Sequence, residues 1–267
     1  MTGLPAALVR AVSPRLAEAE LTFLDREPID AARAAVQHGE YVDLLRRLGH
    51  HVVQVPDAPD HPDGTFVEDV VVVVDDLAVL TRPGAESRRG EVASVAAVVR
   101  SLGLRTEEVT APATLDGGDV LQIGSRVFVG LGGRTDAGAV DQLGALLAPL
   151  GRTVVGVPVT GCLHLKTGAT ALPDGTVVAV TDWLDTSAFS DAGLRVVEAP
   201  EATGADLLLS GSRVVLSAAA PGTAALVRSL GFEAHPVQID ELEKAECGVT
   251  CLSVLLESPP VQGGTGL

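Results

Sequence analysis

Asparagine is absent from this chain of 267 residues, which excludes N-linked glycans. Lysine is scarce, while Ala, Val, Gly and Arg are plentiful, a bias that fits a GC-rich bacterial genome. Only three cysteines occur, Cys162, Cys247 and Cys251. An odd number in a chain of this size excludes a disulfide framework and points to a reducing compartment, the cytoplasm. No apolar stretch runs far enough without a charge or a turn residue to cross a membrane. The N-terminal "MTGLPAALVRAVSP" has too short an apolar run for a signal peptide. Positive charge is also in short supply: 19 Lys and Arg stand against 35 Asp and Glu, a formal charge of −16. Phosphate binding needs clustered cations, so a nucleic-acid partner is excluded. An acidic surface steers cationic small molecules inward, and it also serves plain solubility.

What is present describes a globular chain with ample core, since 46% of the residues are apolar and 20% charged. No linker divides it. The expected organisation is a single α/β domain over 1–257, followed by a flexible tail over 258–267, "SPPVQGGTGL".

A unit recurs along the chain. "TFVEDVVVVVDDLAVLTRPGAESRRGEVASVAAVVRSLGLRTEEV" reads as strand, tight turn, strand, helix, short strand. "LDGGDVLQIGSRVFVGLGGRTDAGAVDQLGALLAPLGRTVVGV" and "ADLLLSGSRVVLSAAAPGTAALVRSLGFEAHPV" repeat that order, and "LHLKTGATALPDGTVVAVTDWLDTSAFSDAGLRVVEA" is a less regular copy. Turn pairs separate the apolar runs at Asp75-Asp76, Gly124-Ser125, Asp174-Gly175 and Gly211-Ser212. Apolar residues at three- and four-residue spacing (Val92, Val95, Ala96, Val99; Val140, Leu143, Leu147) mark helices, and Gly103, Gly151 and Gly231 sit where their C-terminal caps belong. A first unit reads as a strand at "LTFL", a helix over about 28–48 and a strand at "HHVVQV". "VTCLSVLLE" completes the fifth. Five ββαβ-like units burying their faces against one another predict a closed ring.

In such a ring, equivalent strand ends converge on one channel. They bring together Asp63, Glu68, Asp69, Asp116, Asp119, His164, Lys166 and Cys251. A Cys, a His and a carboxylate form a nucleophilic set, with Cys251 as nucleophile. Taken alone, Cys251 among Val249, Thr250 and Leu252 also reads as a small buried apolar residue, and His164 between two leucines as a core histidine. Cys247 and Cys251 have no further Cys or paired His at zinc spacing. "GCLHLKTG" has Leu165 where a phosphate loop needs Gly, and "GLGGRTDAG" lacks dinucleotide-loop spacing. Glu68 and Asp69 precede five valines, a costly place for two acids unless a cation joins them.

"FVED", "TRPGAESRRGE", "LDGGDVL", "GLGGRT", "LHLK" and "TCLSVLL", in that order and over most of the chain, resemble the dimethylarginine dimethylaminohydrolases of the guanidine-modifying (pentein) superfamily. The resemblance implies a five-bladed α/β propeller with pseudo-fivefold symmetry, which agrees with the repeat. It implies hydrolysis of Nω-methylated L-arginine to L-citrulline and a methylamine through a covalent Cys thiouronium. It makes Cys251 the nucleophile, His164 the general acid and base, and Asp116 the acid that holds His164. Asp69, with Glu68, grips the guanidinium. Arg88 and Arg134 take the substrate α-carboxylate, and Asp63 with the carbonyls near Leu21 and Ala245 takes the α-amino group. No metal or organic cofactor is implied, and Lys166, Cys162 and Cys247 receive no role. The implied partner is a small molecule, with neither nucleic acid nor membrane; a homodimer is common in such folds. An arginine deiminase shares the chemistry but carries an extra helical domain for which this chain has no room. A non-catalytic propeller of the same fold lacks the Cys, His and acid set that is present here.

Overall fold

The computed structural model describes residues 5–256, so the expected tail over 258–267 lies outside the described residues. Strand β1 (Ala6–Val9), helix α1 (Ala31–Arg47) and strand β2 (His51–Gln54) come first. The first full unit then runs β3 (Val71–Val74), β4 (Leu77–Leu80), α2 (Val92–Ser101) and β5 (Arg105–Glu108). The second runs β6 (Val120–Ile123), β7 (Arg126–Leu131), α3 (Ala137–Leu147) and β8 (Thr153–Pro158). The third opens on a single helical turn, α4 (Leu165–Gly168), and continues through β9 (Ala169–Ala171), β10 (Val177–Ala179), α5 (Ser187–Asp191) and β11 (Val196–Glu198). The fourth comprises β12 (Leu208–Ser210), β13 (Arg213–Ser217), α6 (Pro221–Ser229) and β14 (Glu233–Val237). A short helix α7 (Asp240–Glu243) leads to β15 (Val254–Leu256).

Five three-stranded sheets result, and all share one pattern. The first strand pairs antiparallel with the second through a tight turn, as in Val71↔Leu80; the second pairs parallel with the third across the helix, as in Leu77↔Arg105. The fifth sheet is assembled from both ends of the described chain: β15 pairs antiparallel with β1 (Ala6↔Leu256), and β1 pairs parallel with β2 (Ala6↔His51). This is the five-unit α/β propeller that the repeats predict.

Local chemistry accounts for the units. The β3–β4 turn forces Asp75 to φ 55°, and the β6–β7 turn places Gly124 at φ 59°, the left-handed geometry of two-residue hairpins. Helix α2 buries Val95, Ala96 and Val99, and α3 buries Ala139, Leu143 and Leu147, one apolar stripe each against its own sheet and the preceding one in the ring. Asp30 caps α1, accepting from the backbone N–H groups of Ala32 and Arg33 at 3.0 Å each.

One expectation fails. "LTFL" is not a strand: Leu21 is half-buried, Phe23 and Leu24 are 48% and 51% exposed, and the segment is a surface loop. The strand is the earlier "AALV", whose Ala7, Leu8 and Val9 are fully buried between β15 and β2. No helix among the described residues is long and apolar enough to cross a membrane.

Candidate active site

Each first strand is preceded by a short helical turn, and these turns meet at the centre of the ring. Val67–Val70 carries Glu68 and Asp69, Gly117–Asp119 follows Asp116, α4 follows His164, Ala202–Ala205 precedes Asp206, and Thr250–Leu252 carries Cys251. The acids therefore sit on tight turns rather than on strands.

Seven of the ten expected site residues line one small central cavity: Asp63, Asp69, Arg88, Arg134, His164, Ala245 and Cys251. Asp116 stands directly behind it, fully buried. Glu68 points to Lys166, whose Nζ lies 2.6 Å from Glu68 Oε1. Leu21 is not in the lining, although the loop it begins is tied there: Glu246, which does line the cavity, accepts from the N–H groups of Thr22, Phe23 and Leu24. A wider groove of about 380 Å³ lies between α1 and β14, lined by residues including Glu40, Arg47 and His235; it contains no thiol and no buried carboxylate, so the chemistry is not there.

His164 is held between two carboxylates. Its Nε2 is 3.0 Å from Asp116 Oδ2 and its Nδ1 is 3.6 Å from Asp69 Oδ1. Burial opposes a charge on the ring, but Asp69, Asp116 and Asp119 outweigh burial and raise the imidazolium to about 10. Asp69 is correspondingly held below the usual carboxylate range: burial pushes it up, but His164, Arg88 and the Gly118 N–H pull it down further. The ligand atoms of Asp69, Asp116 and His164 are near enough together to suggest a metal site. Each ring nitrogen faces one of the two acids, the arrangement of an imidazole that donates on both sides.

The two arginines differ. Arg88 is buried and spoken for. Its Nε and Nη2 grip Glu91 Oε1 and Oε2 at 3.1 and 2.9 Å, Nη2 also donates to the carbonyls of Asp63 and Phe66, and Nη1 donates to Asp69. Burial opposes its charge, yet Glu91 and Asp69 hold it even more firmly protonated than a free arginine. Arg134 makes no side-chain hydrogen bond among the described residues, and its nearest acid is Asp116 at 3.8 Å. Arg134 lines the cavity, and a guanidinium without a hydrogen-bond partner there suits an anion.

Asp63 accepts from the Glu20 N–H at 3.2 Å, and burial raises it to about 6. Burial also raises Glu68, with Lys166 opposing, and Glu68 Oε2 lacks a partner among the described residues. The other two thiols are held neutral by burial, Cys162 at about 12 and Cys247 well above the ordinary thiol value.

No protein-family model matches the chain. The N(G),N(G)-dimethylarginine dimethylaminohydrolase of Streptomyces coelicolor is 49% identical over 251 residues, covering 94% of this chain and 96% of the relative. The chain belongs to the dimethylarginine dimethylaminohydrolase family. Solved dimethylarginine dimethylaminohydrolases share its architecture. A His-to-Gly variant, solved as an adduct with S-methyl-L-thiocitrulline, superposes with a TM-score of 0.88 at 30% identity, over 95% of this chain and all of that one. The Pseudomonas aeruginosa enzyme, a Cys-to-Ser variant complexed with citrulline, gives 0.87 at 29% identity over the same shares.

Several residues that matter here escaped the sequence. Glu91, Asp206, Tyr41 and Glu246 are all buried and bonded to site elements. A usable signal existed for Asp206: "EDVV", "GDVL" and "ADLL" repeat one acid at the entrance to three of the units.

Proposed function

We propose that this chain hydrolyses Nω-methylated L-arginine to L-citrulline and a methylamine. One observation carries the reading: Cys251 opens into the same buried cavity as a protonated His164 and an ionised Asp69, with Arg134 free at its side, in a member of the dimethylarginine dimethylaminohydrolase family.

The chemistry follows from those groups. Asp69 uses two acceptor positions, on Arg88 and the Gly118 N–H, and a carboxylate has about four, so a substrate guanidinium can pair with it and stay cationic. Cys251 Sγ, as thiolate, adds to Cζ of that cation. His164 gives its proton to the departing dimethylamine or methylamine as the C–N bond breaks, leaving an S-alkylthiouronium. Water then adds to the same carbon while His164 takes its proton. Collapse expels the thiolate, the hydroxyl proton passes to solvent, and the ureido group of citrulline is left. Asp116 steers the imidazole through both halves. Arg134, assisted by the remaining Nη1 hydrogen of Arg88, takes the α-carboxylate, and Asp63 with the carbonyl near Ala245 takes the α-ammonium. The three free cysteines accord with a cytoplasmic enzyme. The ring acts as one domain, and a homodimer belongs to the same reading; sedimentation tests the latter.

The deciding experiment offers arginine, monomethylarginine and asymmetric dimethylarginine separately, and measures citrulline and the released amine. Turnover of the methylated substrates, lost in a folded Cys251→Ser variant, is the expected result. Ammonia from arginine as the main product would make the chain a deiminase instead.

A further inference from the structure

A three-residue turn is a poor mount for a nucleophile. Thr250–Leu252 has one backbone closure of its own, Ser253 N–H to the Thr250 carbonyl at 3.4 Å, a long bond. The direction of the Cys251 side chain must therefore be fixed from outside the turn. Two buried side chains do this from opposite sides.

On the N-terminal side, Asp206 accepts from the Thr250 N–H at 2.9 Å and from the Thr250 hydroxyl at 3.1 Å. Its carboxylate lies so close against Gly248 that a Cβ there would meet Asp206 Oδ2 at 2.1 Å. On the other side, the Tyr41 hydroxyl, reaching in from α1, donates to the Val249 carbonyl at 3.0 Å and meets Ser253 Oγ at 2.7 Å. Residues 249, 250 and 253 are thus pinned, and Cys251 is carried between them.

Asp206 is one of a set. Asp69, Asp119 and Asp206 each stand at the entrance to a first strand, and each accepts from a backbone N–H of the following unit's turn. Asp69 takes Gly118, in the turn after Asp116; Asp119 takes Leu165, the residue after His164; Asp206 takes Thr250, the residue before Cys251. The repeat thus lays down one anchor for each of the three groups of the nucleophilic set. We propose that Asp206 and Tyr41 are positioning residues for the nucleophile, aiming the Cys251 side chain at the reacting carbon by bracketing its turn. This rests on the reading of Cys251 as nucleophile.

Burial pushes Asp206 up to about 7, and the charge of Glu68 acts the same way. The anchor therefore works through its acceptor oxygens rather than through a full charge, and an amide in its place keeps an oxygen for the Thr250 N–H.

The test compares Asp206→Ala, Asp206→Asn and Tyr41→Phe, with folding followed by thermal melting. In the folded Asp206→Ala protein, kcat on dimethylarginine should fall by about tenfold or more while KM stays within about threefold, as misaimed groups do. Alkylation of Cys251 by iodoacetamide, read by peptide mass spectrometry, should change in rate in parallel. Asp206→Asn should stay within about threefold of the unaltered enzyme, and Tyr41→Phe should lower kcat several-fold with KM unmoved. Should Asp206→Ala fail to fold, Tyr41→Phe and Asp206→Asn decide. A folded Tyr41→Phe protein with full kcat, or an Asn variant as impaired as a folded Ala variant, overturns the proposal. Failure of the underlying reading looks different: Cys251→Ser would then keep its turnover.

Discussion

Asp116 Oδ2 stands 3.0 Å from His164 Nε2, and both side chains are closed off from water. Burial disfavours the imidazolium, but the carboxylates of Asp69, Asp116 and Asp119 lift it from 6.5 to about 10. A cation favoured by the fold stabilises it fully below about 6.5, and that contribution fades as pH climbs through about 10. Asp116→Asn removes one of the supporting charges. The alkaline limb of kcat should move to lower pH, and kcat near neutrality should drop by roughly 10²-fold or more. A pH–rate profile with an unmoved limb would dismiss Asp116 from this role.

The unequal state of the two arginines separates binding from stability. Arg134→Ala should raise KM for methylarginine strongly, by roughly 10- to 100-fold, and change little for a methylated agmatine, which has no carboxylate. Arg88→Ala leaves Glu91 and Asp69 buried without their cation. It should cost about 3–5 kcal/mol in urea unfolding, whatever it does to KM. Equal KM losses on both substrates for Arg134→Ala would remove it from carboxylate recognition.

Lys166 and Glu68 form a mostly buried pair of their own. Lys166→Met strands the carboxylate, which burial already pushes upward, and should destabilise the fold by up to about 3 kcal/mol. Adding Glu68→Gln should recover part of that loss. Additive effects in the double variant would show that the two do not interact.

Asp63 gives the acidic side of the pH dependence. Burial raises it to about 6, so the fold bears an increasing cost for its ionisation as pH rises from about 4 toward 6, and a constant one above. An ammonium beside it favours the ionised form. KM for a substrate with a free α-amino group should therefore rise as pH drops below about 6. Asp63→Asn should raise KM throughout and abolish that limb, which steady-state kinetics from pH 5 to about 8 would show.

The repeat was plain in the sequence because hairpin turns and helix caps are local: Asp75-Asp76 or Gly103 announces its geometry wherever it falls. The strand at the start of the chain was misplaced for the opposite reason. "AALV" is short and becomes a strand through pairing with β15, nearly 250 residues away, while "LTFL" has strand-like residues but no partner. Cys251, His164 and Asp69 could be named because their chemistry is rare. Asp206 and Glu91 could not, since an acid bonded to a backbone N–H or to a buried arginine looks, in sequence, like any surface acid. Arg88 and Arg134 looked alike in equivalent positions, and the partners around the first, Glu91, Asp69 and two backbone carbonyls, distinguish them.

The sheet made from both ends of the chain has a consequence for synthesis. Strands β1 and β2 are made first, and the edge of β1 that β15 fills has no partner until the chain has been made as far as Leu256. Strand β15, which fills that edge, begins only three residues after Cys251. The segment that shuts the ring is thus the one that delivers the thiol. A chain cut short before Val254 would keep Cys251 and leave the edge of β1 open.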